Sequence, residues 1–185
     1  TSRFNHIVLT KDSSFFLSAI GFKKIIVHPH PIPKLPKVNP FFNNKLLEEI
    51  RIQGSFNIIS VIANVNLDIS ISNEIILNEA FNDFLKINNL LLLHRVKQNN
   101  SNLNCIVGIH DYLDTNDYYK LILESKIILF LYDDNYKYRV SSILLEAISA
   151  EKHVLIFDCP GVLKEIDYDK VHYFNNLIHL LLLFF

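Results

Sequence analysis

From residue 56 onward the chain is built of short apolar runs separated by polar, helix-patterned stretches. The runs are Ile58–Ala63, Leu90–Leu93, Cys105–Val107, Ile127–Leu131, Val154–Phe157 and Val171–Phe174. Each is continuous rather than alternating, which is the pattern of a strand buried on both faces. Helical spacing fills the intervals. A helix is predicted from Ser72 or Asn73 to Ile87, with Leu77, Phe81, Phe84 and Leu85 along one side. Another begins with Thr115 as its N-cap and carries Asp117 in its first turn, where a carboxylate complements the helix dipole. A third starts at Ser141 or Ser142 and runs to Ala150, and a short one follows Cys159-Pro160-Gly161. Strands alternating with helices predict an α/β fold: a doubly wound, mostly parallel, Rossmann-like sheet with right-handed crossovers. One interval fits poorly. Residues 97–104 are too few for a helical crossover, which takes about 10 residues or more. Either that helix is missing or Cys105–Val107 is not a strand.

The first third reads differently. A helix-like stretch, Ser14 to Ile20, leads to Gly21 and an apolar run from Lys24 to Val27. Four of the six prolines then fall between His28 and Pro36. Proline fixes its own φ and biases its predecessor to extended geometry, so this stretch is a stiff connector. It divides the chain into residues 1–36, the end of one domain plus a linker, and residues 37–185, the sheet domain. Residues 40–53 are mixed and allow a short helix.

Composition narrows the chemistry. The chain has 185 residues and a formal net charge of −1, so no basic excess exists to neutralise nucleic-acid phosphates. Two cysteines, Cys105 and Cys159, cannot build a disulfide framework, and reduced thiols of a cytosolic protein are expected. The four glycines lie far apart, which excludes both GxGxxG and the Walker A loop. No methionine is present, even at position 1, and the chain reads as a piece of a longer protein. No signal peptide is visible. The apolar stretch Leu177 to Phe185 is too short for a membrane span, which needs about 20 residues; it reads as the start of an interrupted helix or as frameshifted or truncated sequence.

In a parallel α/β sheet ligands bind beyond the carboxyl ends of the strands. The polar residues expected there are Asn64, Asn66 and Asp68; then Arg95 and Lys97; then His110, Asp111 and Tyr112; then Tyr132, Asp133, Asp134, Tyr136, Tyr138 and Arg139; then Asp158 and Cys159. The helix opened by Ser141 and Ser142 offers free N–H groups suited to a diphosphate. Glu146, one turn inside, has the geometry to accept both hydroxyls of a ribose diol. The alternative is that Ser142, Glu146 and Ser149 form the solvated stripe of an amphipathic helix, because their spacing defines one helix face. His28 and His30 alternate like a metal pair but lack a third ligand nearby, so no metal site is expected. Cys105 reads as core and Cys159 as a turn residue.

Three segments resemble the C-terminal half of group 1 glycosyltransferases of the GT-B fold. They are Ile127 to Tyr132, Tyr138 to Ala150 (YRVSSILLEAISA), and Lys152 to Ile156 (KHVLI). His110 to Leu113 and Asp117 to Ser125 resemble the segment before them, whose loop lines the nucleobase pocket. Lys24 to Pro33 is similar to the link between the two GT-B domains. The likeness covers about residues 20–174 through the order and spacing of these segments.

The resemblance implies a nucleotide-sugar donor, no cofactor and no metal, and a saccharide or lipid-linked acceptor. It implies cytoplasmic work on cell-surface polysaccharide and allows peripheral association at the inner membrane face. Glu146 matches the second glutamate of the family's E-x7-E motif, which holds the donor ribose. Tyr138 stands where the first glutamate would be, with Arg139 beside it. Asn64, Asn66 and Asp68 occupy the region of the family's basic pair, leaving Arg95 and Lys97 as the nearest basic residues. Glu151 and His153 replace the glycine and proline that flank the lysine of the family's GKPV segment. The donor-binding residues implied are Glu146, Ser141, Ser142, Arg139, Tyr138, Tyr112, Arg95 and Lys97, with no catalytic residue identified. The second class of function compatible with these departures is a degenerate or truncated glycosyltransferase-like domain that acts as a non-catalytic binding module.

Overall fold

The computed structural model describes residues 5–9, 11–28, 31–37, 57–61, 75, 77–95, 105–109, 113–131, 141–157 and 168–184. The chain is mixed α/β with two parallel sheets. The smaller sheet pairs β1 (His6–Val8) with β2 (Ile25–Val27), in the register Ile7 opposite Ile26. Helix α1 (Lys11–Ala19) connects them. It stops where Gly21 takes φ 93°, a conformation that a side chain disfavours. The Phe22 N–H then reaches back to the Leu17 carbonyl and the Gly21 N–H to that of Ser18, satisfying two of the helix's last carbonyls. The sequence pattern does not predict β1, because three residues in a polar neighbourhood are too few to show a period.

The larger sheet has six strands: β3 (Asn57–Val61), β4 (Leu90–Arg95), β5 (Ile106–Ile109), β6 (Ile127–Phe130), β7 (His153–Phe157) and β8 (Val171–Phe174). Their spatial order is β5-β4-β3-β6-β7-β8, and every neighbouring pair is parallel. All six predicted strands are present. The pairing of β4 with β5, Leu92 opposite Ile106, answers the doubt over the short interval between them: the strand is real. Residues 96–104, which join the two, lie outside the described residues.

Successive side chains of a strand point to opposite faces, and here both faces are packed. On one face Leu129, Leu131, Leu155 and Phe174 meet Phe81, Phe84 and Leu85 of α2 (Glu79–Ile87) and Leu180 of α5 (Leu177–Leu182). On the other, Ile128, Phe130, Val154 and Ile156 meet Ile122 of α3 (Thr115–Glu124) and Leu144, Ala147 and Ile148 of α4 (Ser142–Ser149). The apolar stretch after Leu177 is therefore a core element. Leu180 is fully buried, and the Phe184 ring lies against that of Phe84 with centroids 4.9 Å apart.

Two helix starts shift from their expected positions. Ile75 is helical, but a turn at Leu77 follows and Asn78 caps α2 by accepting from the Phe81 N–H, so the expected helix is interrupted there and Leu77 falls outside the packed stripe, 70% exposed; Ser72 and Asn73 lie outside the described residues. Asp114, not Thr115, caps α3; its carboxylate accepts from the Asp117 N–H at 2.9 Å. Aspartate ranks above threonine as an N-cap. Edge strand β8 is only half-buried before Phe174, because one side of it has no neighbouring strand among the described residues. Residues 31–37 carry neither helix nor strand, as the proline connector predicts. The short helices expected within residues 40–53 and after Gly161 lie outside the described residues. No helix among the described residues is long and apolar enough to cross a membrane.

His94, near the carboxyl end of β4, is buried, in register with Val61 of β3 and Gly108 of β5. Burial penalises the charged imidazolium and lowers its pKa from 6.5 to about 4. Between these values the unfolded chain holds the proton and the folded chain does not, so stability falls as pH drops from 6.5 toward 4. The loss attributable to His94 amounts to about 3 kcal/mol at most. Urea titrations at pH 7 and pH 4.5 on the wild type and His94→Leu are expected to show a smaller acid loss in the variant. An equal loss in both would refute the assignment.

Candidate functional site

Because all six strands are parallel, their carboxyl ends share one edge of the sheet. Strands β3 and β6 are neighbours there, while their successors in sequence, β4 and β7, lie on opposite sides of them. The strand order therefore reverses between β3 and β6, and in open parallel α/β sheets such a position is where ligands bind. Helices α3 and α4 lie on one face of the sheet and both start from this edge, after β5 and β6 respectively.

The start of α4 is built as its sequence predicts. Ser141 is the N-cap, extended at φ −86° and ψ 116°, and its hydroxyl accepts from the Leu144 N–H at 3.3 Å. Ser141 is buried, whereas Ser142, the first helical residue, is exposed. Glu146 lies one turn further on and is half-buried. Both of its carboxylate oxygens accept hydrogen bonds from α3: one from the Tyr118 hydroxyl, the other from the Tyr119 hydroxyl at 3.2 Å. The two phenol rings meet edge to face, with centroids 5.0 Å apart. Further along α4, the Ser149 hydroxyl donates to the Pro33 carbonyl at 2.6 Å, which ties the proline connector to this helix. The Ser142, Glu146, Ser149 stripe is accordingly not a purely solvated face: two of its three members hold α3 and the connector.

Desolvation raises the Tyr119 pKa above 10, and the negative charge of Glu146 and the hydrogen bond to it raise it further. Tyr119 is therefore a neutral donor at pH 7. In the first turn of α3, Asp117 keeps a buried carboxylate oxygen with no hydrogen-bond partner among the described residues.

Of the other candidates, Arg95 ends β4 in register with Ile109. Lys97, Tyr112, Tyr138 and Arg139 lie outside the described residues, as do Asn64, Asn66, Asp68, His110, Asp111, residues 132–137, Asp158 and Cys159. Cys105 is buried, as expected of a core residue. His28 follows β2, where its backbone N–H donates to the Val8 carbonyl; His30 lies outside the described residues. Among the described residues no three His, Cys, Asp or Glu side chains are grouped to hold a metal ion. Sequence reasoning misses Tyr118, Tyr119 and His94. The available signal for the first two is a tyrosine pair one turn inside a helix that follows a strand's carboxyl end. His94 escapes notice because the apolar run ends at Leu93, one residue short of it.

Comparison of the chain with protein-family models, with curated proteins and with solved structures returns no match.

The electrostatic coupling of Tyr119 to Glu146 is directly measurable. Substituting Glu146→Gln removes the charge while keeping an acceptor. In an ultraviolet pH titration one tyrosine is expected to ionise at lower pH in the variant than in the wild type. Superimposable titration curves would show that Glu146 does not act on Tyr119.

Proposed function

We propose that the chain is the donor-binding part of a glycosyltransferase, with a doubly wound Rossmann-like sheet of the GT-B kind. The observation that carries this reading is the start of α4 at the carboxyl edge where the strand order reverses, with Glu146 one turn inside. Parallel strands with helices packed on both faces, and the likeness of residues 138–150 to group 1 glycosyltransferases, support it further.

In this reading the donor diphosphate sits against the free N–H groups at the start of α4, and Glu146 receives the ribose hydroxyls. Arg139, Arg95 and Lys97 supply positive charge to the departing diphosphate, and Tyr138 and Tyr112 line the sugar and base. The anomeric carbon–oxygen bond to the phosphate breaks, a bond to the acceptor oxygen forms, and the acceptor proton leaves with a base. Catalysis is mainly positioning and stabilisation of the developing diphosphate charge. No cofactor or metal is required. The acceptor is a saccharide or lipid-linked saccharide, and the setting is the cytoplasm or the inner face of its membrane.

One observation favours a second reading, a glycosyltransferase-like domain that has become a non-catalytic binding module. The Glu146 carboxylate, the central group of the donor site, already accepts from two tyrosines.

Ligand-observed NMR with UDP, GDP, ADP, CMP and their common sugars separates the two. The donor-site reading predicts that nucleotides of one base bind and that Glu146→Ala weakens them about tenfold or more, the worth of hydrogen bonds to a charged group. A folded wild-type chain that binds none of them, even when joined to the rest of its protein, would refute the donor site and leave the binding module.

A further inference from the structure

Carboxylates have about four acceptor positions on two oxygens, and a phenol on each oxygen competes with any ligand diol for the best of them. We infer that Tyr118 and Tyr119 act as an internal mimic of the ligand, occupying Glu146 until a ribose diol replaces their hydroxyls. The inference rests on the donor-site reading and adds a regulated step to it.

The geometry supports an exchange rather than a permanent clasp. The two phenols bring two hydroxyl donors to the two oxygens of one carboxylate, which is what a vicinal diol also offers. The contacts join side chains of separate helices, and all three residues are only half-buried. The Tyr119 bond, at 3.2 Å, is long for an O–H donor to a carboxylate and is the weaker of the two. The helices do not depend on these bonds for cohesion. Leu144, Ala147 and Ile148 of α4 and Ile122 of α3 lie in one buried cluster with β6 and β7. The Tyr118 and Tyr119 rings pack against the same cluster, so the exchange asks only their hydroxyls to give way at the carboxylate while the rings stay in place.

An exchange has a sign that a structural role lacks: removing the phenol hydroxyls tightens ligand binding. It also demands the diol. The test measures dissociation constants for a ribonucleoside diphosphate and its 2′,3′-dideoxy analogue, using the wild type, Tyr119→Phe and the double variant Tyr118→Phe/Tyr119→Phe. UDP, GDP and ADP are each used with their dideoxy counterparts, and circular dichroism verifies folding. Expected is a gain of about fivefold for the ribonucleotide with each hydroxyl removed, the worth of one net hydrogen bond, and no gain for the dideoxy analogue. The single variant alone must show the effect should the double variant fail to fold. Unchanged or weaker ribonucleotide binding, or the same gain for both analogues, would overturn the exchange while leaving the donor site intact. Binding to no variant at all would overturn both. Binding by the phenylalanine variants alone would support the exchange in its strongest form, with the wild-type site held closed.

Discussion

Burial of both faces of the six-stranded parallel sheet is the constraint from which the other features follow. Leu90 to Leu93 of β4 and Ile128 to Phe130 of β6 have no solvent-facing side. Each face must therefore carry a layer of helices, and the described helices of this sheet divide accordingly: α2 and α5 on one, α3 and α4 on the other. With the faces closed, polar chemistry is confined to the strand ends and helix termini. The carboxyl edge is favoured because helices leaving it point their N-termini outward, where backbone N–H groups lack partners.

The same constraint makes the strands legible in the amino-acid sequence. A run such as Ile127-Ile128-Leu129-Phe130-Leu131 is apolar at every position because both faces need it. Turn and cap residues mark the boundaries of α4 almost to the residue, since Ser141 offers its hydroxyl to a helix N–H as its position suggests. The pattern fails where local and tertiary effects compete. Leu77 has the spacing of the α2 stripe but precedes the cap at Asn78. The tail after Leu177 reads as a stray apolar segment, because nothing in its own periodicity announces the face formed by Phe84 and Leu155 that it covers.

The site is legible only in part, for a physical reason. Glu146 and Ser141 sit on a regular helix whose spacing and cap can be read along the chain. Tyr118 and Tyr119 matter through a contact 27 or 28 residues away in sequence, which no local pattern encodes. That contact also reshapes the meaning of Glu146. Rather than an open acceptor on a solvated stripe, it is a carboxylate already engaged by neutral phenols, one of which is held protonated by desolvation and by the carboxylate itself. The connector adds a second long-range tie: Pro33 is bound by Ser149 of the same helix, so α4 joins the sheet, α3 and the linker at once.

Amide chemical-shift mapping tests most directly whether the carboxyl edge is where this protein meets its ligand. With isotope-labelled chain and the nucleotide that binds, the account predicts shifts at Ser142, Ile143 and Leu144 of α4 and at Thr115 and Asn116 of α3. The amino edge, around His153 and Val171, is predicted to stay unchanged. Shifts centred on the amino edge or on β1 and β2, with the starts of α3 and α4 silent, would contradict it.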